Sequence, residues 1–153
     1  ELTADDVEPL TWALTEQGRR ESGAEYLAAV SRHQILARMI AGLHESGIDL
    51  LMTPTVGELP QPLGTYDDSG PEPMDAIVRA RGFATFTGVF NATGQPAISL
   101  PLAESGGLPV GIQLIAPMWR EDRLIRIAAQ LERALPWADR RPGTAPGRDG
   151  SIQ

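Results

Sequence analysis

Few side chains in this sequence are capable of nucleophilic or acid–base chemistry, and their types are restricted. All 13 basic residues are arginine, and the chain contains neither lysine nor cysteine. It therefore cannot supply a Schiff-base lysine, a P-loop lysine, a serine–lysine pair or a thiol nucleophile. Disulfides and metal–thiolate sites are excluded as well. The self-contained chemistries that remain are serine with histidine, paired carboxylates, or no catalysis.

The two histidines are placed unfavourably for a shared site. His33 and His44 lie eleven residues apart in one predicted helix, which separates them by roughly 16 Å along its axis. One metal ion cannot bridge that distance, so we interpret both as surface or partly buried helical residues.

The remaining candidates also lack a supporting context. Ser99 lies in Ala-Ile-Ser-Leu-Pro rather than in the Gly-x-Ser-x-Gly turn that exposes a nucleophile. Asp67 and Asp68 are neighbouring acids in a loop, and a carboxylate pair or metal site would need converging partners. No phosphate-binding glycine motif occurs. We predict no cofactor and no metal.

Length, charge and apolar patterning define the class of protein. A chain of 153 residues with 42% hydrophobic and 22% charged residues fits one soluble globular unit. The net charge of −7 disfavours nucleic acid and anionic membranes as partners. No apolar run is long enough to span a bilayer, and the first 30 residues lack a signal-peptide core. We therefore expect a cytoplasmic protein.

Helical periodicity and capping signals indicate the helices. Ser22 and Glu25 have the spacing of a capping box, apolar residues recur at helical period through Leu43, and Gly47 follows them. The predicted helices cover 8–17, 22–47 and 120–135, with one or two helical turns at 74–81. Residues 83–90 are ambiguous.

Three apolar segments predict strands, at 48–52, 97–102 and 110–115, the last two joined as a hairpin through 104–107. Ser99, Gly111 and Gln113 would share one face of that hairpin. The proline-rich connection 53–73 is either a functional rim or lid or a solvated surface loop, and the sequence leaves both open. We assign 1–135 to one packed portion and 136–153 to a polar tail with no fixed structure.

The most specific segments are FNATGQPAISLP (90–101) and LPVGIQLI (108–115), preceded by IDLLMTPT (48–55). Together with the closing helix they resemble the C-terminal part of an amidase signature family enzyme. The resemblance implies an α/β fold in which a large mixed sheet is sandwiched by helices, and the sheet would be incomplete in this chain. It also implies that the complete enzyme hydrolyses carboxylic amides and that its substrate is a small molecule. The segment 135–142 resembles members acting on cyclic amides such as the aminohexanoate cyclic dimer.

The family's catalysis uses a serine nucleophile, a second serine and a lysine. The sequence contains no lysine and no Gly-Ser-Ser-Gly stretch, so none of these residues can be placed. The chain begins at Glu1 rather than methionine, and we expect a C-terminal portion without its catalytic half, inactive alone. Because three strands leave an unpaired edge, we expect association with the missing N-terminal half or with itself.

Thr55 follows the end of a predicted strand, where ligand crevices form in α/β sheets, and the resemblance places Phe86, Phe90 and Asn91 at the wall of the substrate pocket. A purely structural role for the two phenylalanines, four residues apart, remains the alternative. Amidotransferase members of the family place an acid, which holds the glutamine ammonium, seven positions before that asparagine. Here the position is Ala84, which favours an uncharged amide. Two alternatives stay open, the A-type chain of a glutamine-dependent tRNA amidotransferase and a non-catalytic interaction module.

Overall fold

The computed structural model describes residues 2–67 and 69–141. A short 3₁₀ turn, Ala4–Asp6, precedes the first helix. The other elements are α1 (Pro9–Arg20), α2 (Gly23–Glu45), β1 (Leu51–Pro54), α3 (Met74–Phe83), α4 (Thr87–Thr93), β2 (Ala97–Ser105), β3 (Leu108–Ile115) and α5 (Glu121–Ala134). The α/β class predicted from the sequence is confirmed.

The three strands form an antiparallel sheet in the order β1–β3–β2. The predicted hairpin of β2 and β3 is confirmed, and both of its strands are longer than expected. Gly106 and Gly107 make the two-residue turn with φ of 58° and 78°, a backbone that glycine adopts without steric cost. The central strand β3 thus pairs on both sides, while β1 and β2 form the edges of this described sheet.

A bulge interrupts the hairpin register within β2. Leu100 pairs with Ile112, but the next pair is Ala103 with Val110, so two residues, Pro101 and Leu102, stand opposite Gly111 alone. Proline cannot donate to the ladder and is tolerated at edge strands and bulges. The proline in this strand therefore explains where the register shifts.

The main apolar core lies between α5 and one face of the sheet. Leu100, Leu114, Ala116 and Leu124 are buried there. Partly buried side chains complete this layer: Leu50, Ile98, Leu102, Ile112, Ile127, Ala128, Leu131 and Trp137. The alternation of apolar and polar residues along the strands and the apolar side of the last helix predicted this arrangement.

The first two helices differ from expectation in length and in burial. Helix α1 continues three residues past Gln17, and Arg19 holds its last turn through an ion pair with Glu16 at 2.6 Å and a position over the Trp12 ring. Helix α2 begins at the predicted capping box, with the Ser22 Oγ accepting from the Glu25 N–H. No α2 residue is fully buried, although the periodic apolar pattern is typical of a core helix.

The first strand lies later than predicted and is less buried. Its ladder runs from Leu51, opposite Ile115 at the end of β3, to Pro54, and the Ile48 carbonyl oxygen instead contacts the His44 Nδ1. Met52 is 71% exposed. The prediction of a buried strand at 48–52 is therefore wrong in position and in burial.

After β1, the described residues of the proline-rich connection form no helix or strand, but they are tied to α3. The Gly57 N–H donates to the Phe83 carbonyl at 2.9 Å, and Arg79 donates to the Asp67 carbonyl at 3.1 Å. The Tyr66 and Phe83 rings lie 6.0 Å apart. These contacts fix both ends of the loop against one helix.

The closing segment contributes to the core at one position. Trp137 packs against the α5 layer, and its carbonyl accepts from the Arg140 N–H at 3.0 Å. Residues 142–153, most of the predicted tail, lie outside the described residues. The division at residue 135 stays a prediction.

A carboxylate paired with two arginines at the start of α5 makes the stability of the chain depend on pH under acidic conditions. Hydrogen bonds from Arg120 and Arg126 hold the pKa of the Asp122 carboxyl well below its usual range. A lowered pKa stabilises the fold above the ordinary carboxyl pKa, and the contribution is lost as pH falls through the lowered value. Asp122→Asn should therefore lower the urea midpoint at pH 6, and the difference should shrink below about pH 4. A difference that stays constant down to pH 2 would contradict this.

Candidate functional site

Thr55 lies directly after the end of β1 and is held from two directions. Its backbone N–H donates to the Gly111 carbonyl on β3 at 2.9 Å. Its Oγ1 lies 2.6 Å from the Ser99 Oγ on β2. This hydroxyl pair therefore connects the two edge strands across the central one.

A second polar contact continues the same face of the sheet. The Gln113 Nε2 donates to the Thr53 Oγ1 at 3.2 Å, and Gln113 pairs with both Thr53 and Ser99 in the ladders. Gln113 is only 5% exposed. We call Thr53, Thr55, Ser99 and Gln113 the hydroxyl–amide cluster. It lies on the face opposite α5 and offers donors and acceptors to a polar group.

Gly111 makes the cluster possible. A Cβ at this position would lie 2.7 Å from the Thr55 Oγ1 and 2.9 Å from the Ser99 Oγ. Both distances are shorter than real Cβ contacts, so the hydroxyl pair occupies the space that a side chain would need. Its φ is not left-handed, so the requirement for glycine here is steric.

The other predicted wall residues lie in and before α4. Phe90 is 8% exposed and is buried in the protein. Phe86 caps the start of the helix and is half-buried, and Asn91 is exposed. Burial of Phe90 supports the structural alternative for that residue, while Phe86 and Asn91 keep surface that a ligand could contact.

The loop after Thr55 and the segment before Phe86 are brought together by the backbone. Besides the bond between Gly57 and Phe83, a Cβ on Gly57 would collide with the Gly82 carbonyl oxygen. The Thr85 Oγ1 lies 3.5 Å from the same Cβ position. Two of the predicted segments therefore meet near the end of β1.

The described acids with a resolved hydrogen-bond partner include Asp67. Asp67 accepts from the Ser69 N–H and Oγ at 2.9 Å each, and these bonds lower the pKa of its carboxyl. Asp68 lies outside the described residues. Within 2–67 and 69–141, no group of three or more His, Asp or Glu side chains could hold a metal ion.

Sequence reasoning found part of the hydroxyl–amide cluster. Period-two alternation placed Ser99, Gly111 and Gln113 on one face. The contribution of Thr53 was missed, as was the bond of Thr55 to Ser99. The sequence signal that could have indicated Thr53 is the same alternation in Met-Thr-Pro-Thr at 52–55, because it sets both threonines on one side of a strand.

Comparison with known proteins identifies the fold to which this geometry belongs. The family model described as amidase matches residues 4–125. The chain belongs to the amidase family. It is 40% identical over 149 residues to the 6-aminohexanoate-cyclic-dimer hydrolase of Pseudomonas sp. (strain NK87). That match covers 92% of this chain and 30% of the hydrolase.

Solved structures of the amidase family agree with this assignment. A structure of 6-aminohexanoate cyclic dimer hydrolase superposes with a TM-score of 0.85 and 36% identity, over 93% of this chain and 31% of that one. The A-type chain of glutamyl-tRNA(Gln) amidotransferase from Thermotoga maritima superposes with a TM-score of 0.58 and 26% identity, over 90% and 29%. The chain thus spans about a third of the length of these relatives. No helix in its described part is long and apolar enough to cross a membrane.

Proposed function

We propose that this chain is the C-terminal portion of an amide hydrolase that cleaves non-peptide C–N bonds in small, uncharged amides. It contributes sheet core and the wall of the substrate pocket. The nucleophilic serine, the bridging serine and the lysine base come from residues outside these 153. The single observation that carries the proposal is the 40% identity to a cyclic-amide hydrolase over 92% of the chain.

The chemistry of amide cleavage explains which groups this chain lacks and which it supplies. An amide carbon needs an activated nucleophile and donors that stabilise the oxyanion. The sequence supplies no lysine base. What the chain does supply is a shaped surface, with Thr55 at a strand end where ligand crevices form in α/β sheets and with Phe86 and Asn91 at the start of and within α4.

The substrate is proposed to be neutral because of Ala84. It ends α3, where its N–H donates to the Ala80 carbonyl at 2.9 Å, and its methyl group cannot pair with an ammonium group. The glutamine-dependent amidotransferase function is therefore the weaker candidate, and the lower TM-score of 0.58 against 0.85 points the same way. A non-catalytic interaction module is the third candidate. The cytoplasmic location stays a prediction.

A chimera tests whether this chain can complete an amidase. The matching 30% of the Pseudomonas 6-aminohexanoate-cyclic-dimer hydrolase is replaced by this chain. We expect the chimera to hydrolyse the cyclic dimer and to release little ammonia from glutamine, because Ala84 offers no charge partner. Product formation is followed by chromatography.

Two control proteins make the chimera informative. The hydrolase lacking the matched segment should be inactive, and the chimera carrying Ala84→Asp should gain glutamine-dependent ammonia release relative to its parent. A folded chimera without any amide hydrolysis would contradict the proposed function. Strong glutamine turnover by the unmodified chimera would instead favour the amidotransferase candidate.

The uncovered surface of α2 and β1 predicts association. Tyr26, Leu27 and Met39 on α2 are 65 to 68% exposed, and Met52 on the edge strand is 71% exposed. Exposed apolar side chains and an unpaired strand edge each favour association with another chain. We expect the 153-residue chain to self-associate in sedimentation experiments, and Met39→Glu with Met52→Glu to reduce this. A dispersed monomer at high concentration would contradict the expectation.

A further inference from the structure

A cleft of about 380 Å³ lies at the end of the sheet where β1 and β2 begin, away from Thr55. Its walls come from the end of α2, the residues before β1, Gln95 before β2, and the turn that leads into α5. The space is more than ten times the share of one water molecule, roughly 30 Å³. It falls at the lower end of the range for small-molecule sites.

Two nitrogen atoms at the walls of this cleft lack hydrogen-bond partners among the described residues. They are the Nε2 atoms of His44 and Gln95, both excluded from solvent. Gln95 is only 7% exposed, and its Oε1 accepts from the Thr93 Oγ1 at 3.3 Å. Buried polar groups without partners are rare in folded proteins. Two such groups on residues that line one cleft are hydrogen-bonding capacity that a polar ligand could satisfy.

The hydrogen-bonding roles of the two atoms are opposite. The His44 Nδ1 lies 2.9 Å from the Ile48 carbonyl oxygen, which can only accept, so Nδ1 carries the proton. In the neutral ring Nε2 is then an acceptor, whereas the Gln95 Nε2 is a donor. A ligand group that presents one hydrogen-bond acceptor and one hydrogen-bond donor would therefore satisfy both nitrogens.

The charges of the residues that line the cleft restrict the kind of ligand further. The charged residues lining the cleft are Glu45, Asp49 and Arg123, and the Arg123 Nη1 is already paired with the Asp49 Oδ1 at 2.6 Å. Two acids against one base leave the lining negative, which disfavours carboxylates and phosphates. A neutral ligand is favoured.

We propose that this cleft binds the carboxamide group of a small neutral molecule, with the amide oxygen accepting from Gln95 and the amide N–H donating to His44. Both nitrogens are buried in the free chain, so binding requires the terminal torsions of the two side chains, which are broad, to turn the nitrogens toward the cleft. The site is separate from the hydroxyl–amide cluster and does not depend on the proposed function.

The test is a titration of the ¹⁵N-labelled 153-residue chain at pH 8 with propionamide. Sodium propionate and butanone serve as comparators, because they keep the size but replace the donor by a charge or by carbon. We expect propionamide to give saturable shifts of the Gln95 side-chain amide and of the His44 ring nitrogens. Propionate and butanone should bind at least about tenfold more weakly, since each leaves one buried nitrogen unpaired.

Matched variants locate the site. Gln95→Leu and His44→Phe should each weaken propionamide binding about tenfold, whereas Gln34→Leu and His33→Phe, at exposed positions of α2, should not change it. Gln95→Leu removes an unpaired donor but also the Oε1 that accepts from the Thr93 hydroxyl, so we expect at most a small loss of melting temperature. The proposal is overturned by the absence of saturable shifts, by equal binding of the comparators, or by a strongly destabilised Gln95→Leu chain.

Discussion

Replacing Gly111 by alanine should lower the free energy of unfolding by about 2–3 kcal/mol. The new methyl group would lie 2.7 Å from the Thr55 Oγ1 and 2.9 Å from the Ser99 Oγ, so the hydroxyl pair must separate. Overpacking costs about 1–3 kcal/mol and the lost hydrogen bond about 1 kcal/mol, and the two overlap in part. Urea unfolding followed by circular dichroism measures the loss.

The same substitution at another glycine is the control. Gly42 lies within α2, and no atom lies within 4 Å of the position that a Cβ would take there, so Gly42→Ala should stabilise the chain by about 0.5–1 kcal/mol. Thr55→Ala removes the nearest atom, and combining it with Gly111→Ala should cost less than the two single changes added together. Additive losses, or a harmless Gly111→Ala, would show that the hydroxyl pair does not hold the sheet edges together.

Phe90→Ala should be the most destabilising single truncation among the predicted wall residues, with a loss of about 3–4 kcal/mol. The ring is 8% exposed, and truncation of a buried phenylalanine removes apolar burial and leaves a cavity. Phe86→Ala should cost about half as much, because that side chain is only half-buried. Chemical denaturation of both variants gives the comparison.

Activity separates the two roles in the chimera described above. Phe86→Ala should raise KM for the amide while leaving most of the stability, whereas Phe90→Ala should reduce the amount of folded protein with little change in KM for the folded fraction. If Phe90→Ala costs less than about 1 kcal/mol, the residue is not part of the core. Phe90 would then again be a candidate for the wall of the substrate pocket.

The hairpin and the closing helix were predictable because local signals and tertiary packing agree there. Alternation in β2 and β3 assigns Leu100 and Leu114 to the α5 face and Gln113 to the other. Gly106 and Gly107 supply the turn that this register needs. The two strands are longer than predicted, while the closing helix is one residue shorter at each end.

The first strand and α2 were predicted less well for a physical reason. Periodicity reports which side chains can be buried, not what buries them. Leu27 and Met39 fit the helical pattern of a core face, yet they are 65% and 68% exposed. Their pattern is explained if a partner surface covers them, as in the proposed association.

The candidate site was predictable only in part. Thr55 was identified from its position after a strand, but its bond to Ser99 depends on a register that joins residues 44 positions apart. Helix α4 was missed because Thr87 and Val89 are β-branched and lower its helical propensity. Its left-handed end at Gly94, with φ of 76°, is the local signal that could have indicated a helix there.

The most direct test of the central claim is an amide hydrolysis assay on the purified 153-residue chain beside the chimera. The claim is that these residues shape the pocket and support the sheet but do not break the C–N bond. We predict no turnover of the cyclic dimer above the uncatalysed rate by the chain alone, and turnover by the chimera that a serine-directed reagent abolishes. Serine-reagent-sensitive turnover by the chain alone would contradict this claim.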